Sequence, residues 1–156
     1  MFREMRRFKQ QISEEECIRI LKEQPRGVLS MIGDDGYPYG IPMNHMYMDG
    51  HLYFHGAKEG HKIDAISKCD KVSYCAYDQG YRKEGEWALN INSVVVFGRI
   101  RVVEDEEKKR EICTLLTRKF TDDEEYLQKE LKNAFPRVNC LELIPEHMTG
   151  KLVNES

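Results

Sequence analysis

The sequence has no long apolar run, no excess of positive charge and no signal-peptide core. No stretch approaches the ~20 apolar residues that a membrane-spanning helix needs, so we expect no membrane partner. The net charge of -3 argues against nucleic acid as a partner. Residues 1–7 are polar and lack the apolar centre of a secretory signal, which makes the cytoplasm the expected compartment.

Spacing among the cysteines and histidines excludes several kinds of site. The five cysteines are odd in number and none has C-x-x-C spacing, which favours reduced thiols over disulfides or a zinc ribbon. On a strand, His51 and His55 would lie about 13 Å apart, too far to share one ion. No metal site is therefore expected, and no Ser-His-Asp or Cys-His triad can be argued from spacing. The catalytic residue, if there is one, stays unknown.

The chain is the size of one domain, and we expect a single domain over residues 1–156. A capping box at Ser13 starts a first helix, and further helices are predicted over 60–68, over 104–120 and after a second capping box at Thr121. Residues 145–156 read as an irregular tail. About six strands are predicted, over 28–32, 37–48, 51–55, 71–78, 88–103 and 138–144. This order favours an α+β, mainly β protein built on an antiparallel barrel or sandwich, with peripheral helices, rather than a Rossmann fold.

Two of these strands carry further information. Pro38 and Pro42 cannot donate to a ladder, so their strand should be an edge or be bulged. Residues 93–97 are almost continuously apolar, which predicts burial on both faces. The outer face then needs cover, either from the helices that follow or from a second subunit.

The turn over residues 55–62 brings two lysines and two histidines together within eight residues, with glycines at 56 and 60. A turn that opens a helix leaves backbone N–H groups unpaired, and the helix dipole attracts anions there. Adding Lys58 and Lys62 gives the composition of a phosphate cradle, although the Walker spacing is absent. The alternative is an ordinary hairpin end with solvated lysines.

Three segments resemble those of a known family. They are residues 36–44 (GYPYGIPMN), 52–62 (LYFHGAKEGHK) and 93–99 (SVVVFGR), and residues 5–7 and 149–151 add a similar opening and close. In this order they resemble the pyridoxamine 5'-phosphate oxidase-like FMN-binding split barrels, in the branch that contains nitroimidazole-resistance (Nim) nitroreductases.

The resemblance implies a six-stranded split β-barrel that forms a homodimer with FMN in the groove between subunits. The strand matching Ile41, Pro42, Met43 and Asn44 would pass along the flavin ring. The segment matching His55, Gly56, Lys58, Gly60, His61 and Lys62 would hold the phosphate, and Asn92 and Ser93 would complete the groove. His61 departs from the arginine usual in the family, which would leave more of the phosphate to the two lysines.

The implied activity is an FMN-dependent oxidoreductase that passes electrons from NAD(P)H to a small electron-poor, nitroaromatic-like substrate. Such a protein needs no acid/base pair of its own, because the flavin carries the redox chemistry. A flavin- or haem-binding module without turnover, such as a sensor or reservoir, is the alternative. Pyridoxamine 5'-phosphate oxidation is disfavoured, since the arginine-rich substrate segments of those oxidases are not found.

Overall fold

The computed structural model describes residues 1–155, with seven strands and four α-helices. The strands are β1 Arg26–Ile32, β2 Pro38–Asn44, β3 Met46–Met48, β4 His51–Ala57, β5 Lys71–Tyr77, β6 Leu89–Val102 and β7 Val138–Glu155. The helices are α1 Glu14–Glu23, α2 His61–Lys68, α3 Glu106–Phe120 and α4 Glu124–Asn133, with single 3₁₀ turns at Phe8–Gln10 and Phe135–Arg137.

All seven strands form one antiparallel sheet in the order β2-β1-β5-β6-β7-β4-β3. The two edge strands, β2 and β3, are consecutive in the chain and separated only by His45. One sheet edge therefore continues directly into the other, and the sheet must curl into a split barrel. The predicted α+β, mainly β barrel is confirmed, and β2 is an edge strand as its prolines indicate.

Seven strands replace the expected six because the predicted strand 37–48 is broken in two. Its two halves pair at opposite ends of the sheet: β2 with β1, and β3 with β4. The break falls at His45, whose side chain is fully buried. A polar side chain buried at one position is a weak signal in sequence, so the break was not anticipated.

Two apolar clusters hold the fold together. The larger fills the barrel and contains Leu29, Phe54, Tyr74 and Val96, all at 0% exposure. Helix α1 packs against β6, β7 and β3, and its capping box is confirmed by a 3.2 Å bond from the Glu16 N–H to Ser13 Oγ. The second cluster lies outside the barrel, where α3 packs against β3, β4 and β7.

The predicted irregular tail is wrong, because β7 extends from Val138 to Glu155. It pairs with the whole of β6, and a register shift between Phe97 and Gly98 places the irregularity beside Pro145. A proline that would interrupt a regular ladder is tolerated at such a bulge. Pairing with the long strand β6 thus determines the structure of residues 145–155, and their local composition does not.

Two smaller expectations also fail. The second capping box is misplaced: Asp123 caps α4, while the Thr121 hydroxyl accepts from the Asp123 N–H. On β6, the side chains of Val94 and Val96 are fully buried, whereas Phe97 is 39% exposed on the other face. Burial of both faces is therefore wrong for the single chain, since α3 packs on other strands.

None of the helices in residues 1–155 is long and apolar enough to cross a membrane.

Candidate functional site

The turn between β4 and α2 folds a lysine back over a glycine. Gly60 is the N-cap of α2 with φ +126°, a conformation that favours glycine, and the helix begins at His61. From the first turn of α2, Lys62 reaches across β4. A Cβ atom at Gly56 would lie 2.5 Å from Lys62 Nζ, so the bare backbone of Gly56 makes room for the ammonium group.

The Lys62 ammonium is half-buried and has only a weak partner. Its Nζ lies 3.8 Å from Met43 Sδ, and no carboxylate of residues 1–155 lies within the 4.0 Å of a salt bridge. Burial lowers its pKa. A desolvated cation without a counter-ion is costly unless an anion completes its environment. The structure thus brings Gly56, Met43 and Lys62 together at a place suited to an anion.

His61 is directed elsewhere. Its ring stacks on Tyr39 at 4.1 Å between centroids, and Nε2 lies 3.4 Å from Asp34 Oδ1. Its first role is thus to dock the β1–β2 hairpin against α2. Asp34, Asp35 and His61 place their ligating atoms within 4.8 Å of one another, a grouping that the sequence analysis did not foresee. All three are exposed, and exposed acidic groups of this kind are common without an ion.

His55 and Lys58 do not converge on Lys62. On β4 the side chains alternate, so His55 lies on the face opposite Phe54 and Gly56. It lines a cavity of about 50 Å³ beside α3 and α4, where desolvation lowers its pKa and favours the neutral ring. Lys58 is exposed in the turn.

The residues of β2 divide between the two sheet faces. Ile41 and Met43 point inward, and the Met43 carbonyl oxygen lies 3.1 Å from the Tyr74 hydroxyl oxygen. Pro42 and Asn44 are exposed on the outer face, where Asn44 Oδ1 accepts from Arg26 Nε at 3.2 Å. Of this segment, Met43 supplies the polar contact to Lys62.

Asn92 anchors a loop. Its backbone N–H and side-chain amide donate to the two carboxylate oxygens of Asp78 at 2.9 and 2.8 Å, and the Gly80 N–H also donates to Asp78. This clamp fixes the start of the loop 78–88, which exposes 75% of Trp87. Ser93 is half-buried, opposite Tyr77 on one neighbour strand and Lys151 on the other.

The outer face of the sheet is a surface that the sequence analysis identified only in part. One row runs straight across five strands, through Pro42, Val28, Cys75, Val95 and Thr149. We call the side chains on this side of β2, β1, β5, β6 and β7 the outer face. Small or apolar residues dominate it, and Val28 and Phe97 are more than a third exposed. The alternation of Val28, Ser30 and Ile32 along β1 was the signal available in sequence.

His45 lies away from this surface, fully buried between β2 and β3. Its Nε2 contacts the Leu21 carbonyl at 2.7 Å and must donate, so Nδ1 accepts from the Tyr74 hydroxyl at 2.5 Å. Burial and the nearby Lys119 ammonium lower its pKa to about 4. Lys119 Nζ in turn donates to the carbonyls of Gln24 and His45, both at 2.7 Å. We call His45, Tyr74 and Lys119 the corner, because their hydrogen bonds hold the point where β2 passes into β3.

The curled sheet defines a split β-barrel, and comparison with known proteins gives the family. The chain matches the sequence model of the pyridoxamine 5'-phosphate oxidase family over residues 13–152, and it belongs to that family. No curated protein matches it.

Several solved structures share the fold. A candidate 5-nitroimidazole antibiotic resistance protein from Bacteroides thetaiotaomicron is 22% identical with a TM-score of 0.78, over 92% of this chain and 87% of that one. The flavocytochrome Anf3 from Azotobacter vinelandii is 18% identical with a TM-score of 0.80, over 96% and 72%. An FAD-binding protein from Mesorhizobium loti is 21% identical with a TM-score of 0.68, over 92% and 96%.

Proposed function

We propose that the protein binds FMN through the Lys62 site and acts as a homodimeric flavin-dependent oxidoreductase. The observation that carries the proposal is the half-buried Lys62 ammonium, which crosses Gly56 and has no carboxylate partner in residues 1–155. A phosphate monoester would supply the missing charge, and the exposed Lys58 is two residues beyond Gly56 in the same turn. The N-terminus of α2, one residue before Lys62, would offer backbone N–H groups to the same anion.

The outer face supports assembly into a dimer. It crosses five strands and carries exposed apolar side chains that a soluble monomer seldom clusters. A second copy of the chain would bury these side chains, as obligate homodimer interfaces do. The planar part of a flavin would lie in the groove between two such faces, and the exposed Trp87 and Tyr81, on the loop between β5 and β6, would be free to contact it.

A bound flavin would supply hydride and electron transfer, so the chain itself needs to bind, orient and exclude water. The electron donor would be NAD(P)H and the acceptor a small nitroaromatic-like compound. The similarity in fold to the Bacteroides thetaiotaomicron protein supports this choice of acceptor. No side chain of the described residues is assigned a catalytic role.

A flavin- or haem-binding module without turnover is the second candidate. The similarity in fold to the flavocytochrome from Azotobacter vinelandii and to the FAD-binding protein from Mesorhizobium loti supports the binding of such a cofactor. For haem, the protein would have to provide an axial ligand, and His45 has both ring nitrogens engaged within the core. This engagement rules out His45 as that ligand.

The first test is the spectrum of the purified protein during titration with FMN, followed by NAD(P)H under anaerobic conditions. The proposal predicts flavin bands shifted by binding, then bleaching by the nicotinamide and recovery on adding a nitroaromatic acceptor. Tight binding without bleaching would assign the protein to the non-catalytic class. Absence of FMN binding, or a Soret band after haem addition, would overturn the proposal.

The dimer is tested by Val95→Lys at the centre of the outer face. Light scattering of the wild type should give twice 18.4 kDa, and the variant should lose both dimer mass and FMN occupancy. Val102→Lys is the matched control, because Val102 lies on the same strand but outside the outer-face rows. A wild-type monomer with full FMN occupancy would contradict the shared groove.

A further inference from the structure

Two cysteines on opposite sides of the second apolar cluster face each other. Cys113 belongs to α3 and Cys140 to β7, and their Sγ atoms lie 3.5 Å apart. This separation is a hydrogen bond between thiols, and closing it by about 1.5 Å would give the length of a disulfide bond. The other three cysteines, Cys17, Cys69 and Cys75, make no such pair.

A cavity gives small molecules a route to this pair. Cys113 lines the cavity of about 50 Å³ together with His55, Thr117, Glu130, Leu131 and Phe135. That volume exceeds the roughly 30 Å³ that one water occupies in the liquid. His55 is exposed and Glu130 half-exposed, so the cavity reaches solvent on this side of β4. Cys140 lies behind Cys113 at 0% exposure, with its Sγ also 3.6 Å from the Lys109 carbonyl.

The surroundings of the two thiols make them unequal, because Cys113 lines the cavity and Cys140 is fully buried behind it. The hydrogen bond with Cys140 and the cationic Lys109 and Arg110 lower the pKa of Cys113. The same bond and burial raise the pKa of Cys140. A thiolate is the nucleophilic form of cysteine. Cys113 thus has the environment of the thiol that attacks an oxidant. Cys140 has that of the thiol that then attacks oxidised Cys113.

We propose that Cys113 and Cys140 form a peroxide-sensitive dithiol, in which Cys113 is oxidised from the cavity and Cys140 closes a disulfide. The Cys113 thiolate attacks one oxygen of a hydroperoxide, the O–O bond breaks, and the leaving oxygen takes a proton to become water or an alcohol. Cys113 is then a sulfenic acid. Cys140 attacks its sulfur, the S–O bond breaks, and a second water leaves with the Cys140 proton. Two thiols are oxidised and one peroxide is reduced.

This inference does not depend on the proposed flavin site, because Cys113 and Cys140 lie on the α3 side of β4, away from Lys62. The dithiol proposal and the flavin proposal can therefore be contradicted independently of each other. The disulfide would tie α3 to β7 and should raise the midpoint of thermal unfolding.

The test treats the purified, folded full chain with hydrogen peroxide, blocks the remaining thiols and maps the peptides without reduction. We expect two of the five thiols to be lost, the intact mass to fall by two hydrogens, and a Cys113–Cys140 linked peptide that dithiothreitol reverses. Cys69→Ser, which removes a more accessible thiol, should behave like the wild type.

A trapping variant completes the design. In Cys140→Ser the second step cannot occur, so dimedone should label Cys113. Cross-links through Cys69 or Cys75, or five intact thiols after treatment of the wild type, would overturn the proposal. Because the peptide map uses wild-type protein, that result stands even if a serine variant folds poorly.

Discussion

Two half-buried lysines of this protein have opposite surroundings. Lys119, near the end of α3, donates to two backbone carbonyls at 2.7 Å, and burial lowers its pKa to about 8. Lys62, at the start of α2, meets only a methionine sulfur at 3.8 Å, and burial lowers its pKa as well. The two lysines are buried to a similar extent, but the Lys119 ammonium has two carbonyl partners and the Lys62 ammonium has only a sulfur.

This difference separates a structural lysine from a binding one. The Lys119 ammonium closes the corner by donating to the His45 carbonyl, at the break between β2 and β3, and to the Gln24 carbonyl at the end of α1. The Lys62 ammonium pairs with nothing comparable in residues 1–155, and the chain instead leaves Gly56 bare beneath it. A shifted pKa alone would not distinguish the two, because both shift in the same direction for the same reason. The hydrogen-bond partners do distinguish them.

The largest expected effect concerns pH at the corner. His45 has a pKa of about 4 in the folded protein against 6.5 ordinarily. The unfolded chain therefore takes up its proton first as the pH falls, and the stability held in full above pH 6.5 is lost as the pH falls toward 4. The full shift corresponds to roughly 3 kcal/mol. Urea unfolding between pH 7 and 4 measures it.

The control for this pH dependence is His45→Gln, which keeps a donor for the Leu21 carbonyl but does not titrate. Its unfolding free energy should be lower at pH 7 and less dependent on pH. An equally steep loss of stability in both proteins would show that other groups, such as the carboxylates, cause it.

The next effect tests Lys119 directly. Lys119→Met keeps most of the side-chain length but leaves the Gln24 and His45 carbonyls without their donor. We expect a loss of roughly 2 kcal/mol in the free energy of unfolding, with FMN affinity per folded molecule preserved. Urea denaturation at pH 7 and FMN titration of the same sample provide the two readouts. Loss of FMN affinity with unchanged stability would reverse the assignment.

The matched substitution at Lys62 should have the opposite effects on stability and on FMN affinity. Lys62→Met removes a desolvated charge without orphaning a strong acceptor, so stability without ligand should be unchanged or higher by up to ~1 kcal/mol. Urea denaturation in the absence of flavin measures this. A loss as large as that of Lys119→Met would show that Lys62, too, is structural.

Sequence reasoning identified most of the fold because its signals were local. The prolines of β2, the capping box at Ser13 and the glycines of the β4–α2 turn each act through the backbone nearby. The errors arose where residues distant in sequence determine the local structure. The last strand is held by pairing with β6 across a bulge, and the break at His45 depends on Tyr74 and Lys119, far away in sequence.

The candidate site divides in the same way. A basic turn with two glycines is visible in sequence, and the structure places Gly56 and Lys62 together as that pattern suggests. Which side chain of the turn faces which partner was not visible. His61 docks on Asp34, His55 faces the α3 cavity and Asn92 binds Asp78, all because of residues supplied by other elements.

The most direct test of the Lys62 assignment compares FMN with riboflavin, which lacks the phosphate, in the wild type and in Lys62→Met. Fluorescence titration gives the four dissociation constants. We expect Lys62→Met to weaken FMN binding by about tenfold or more, the loss of one charge-assisted bond, and to leave riboflavin binding almost unchanged. Equal losses for both ligands, or none for FMN, would contradict the claim that Lys62 holds the phosphate.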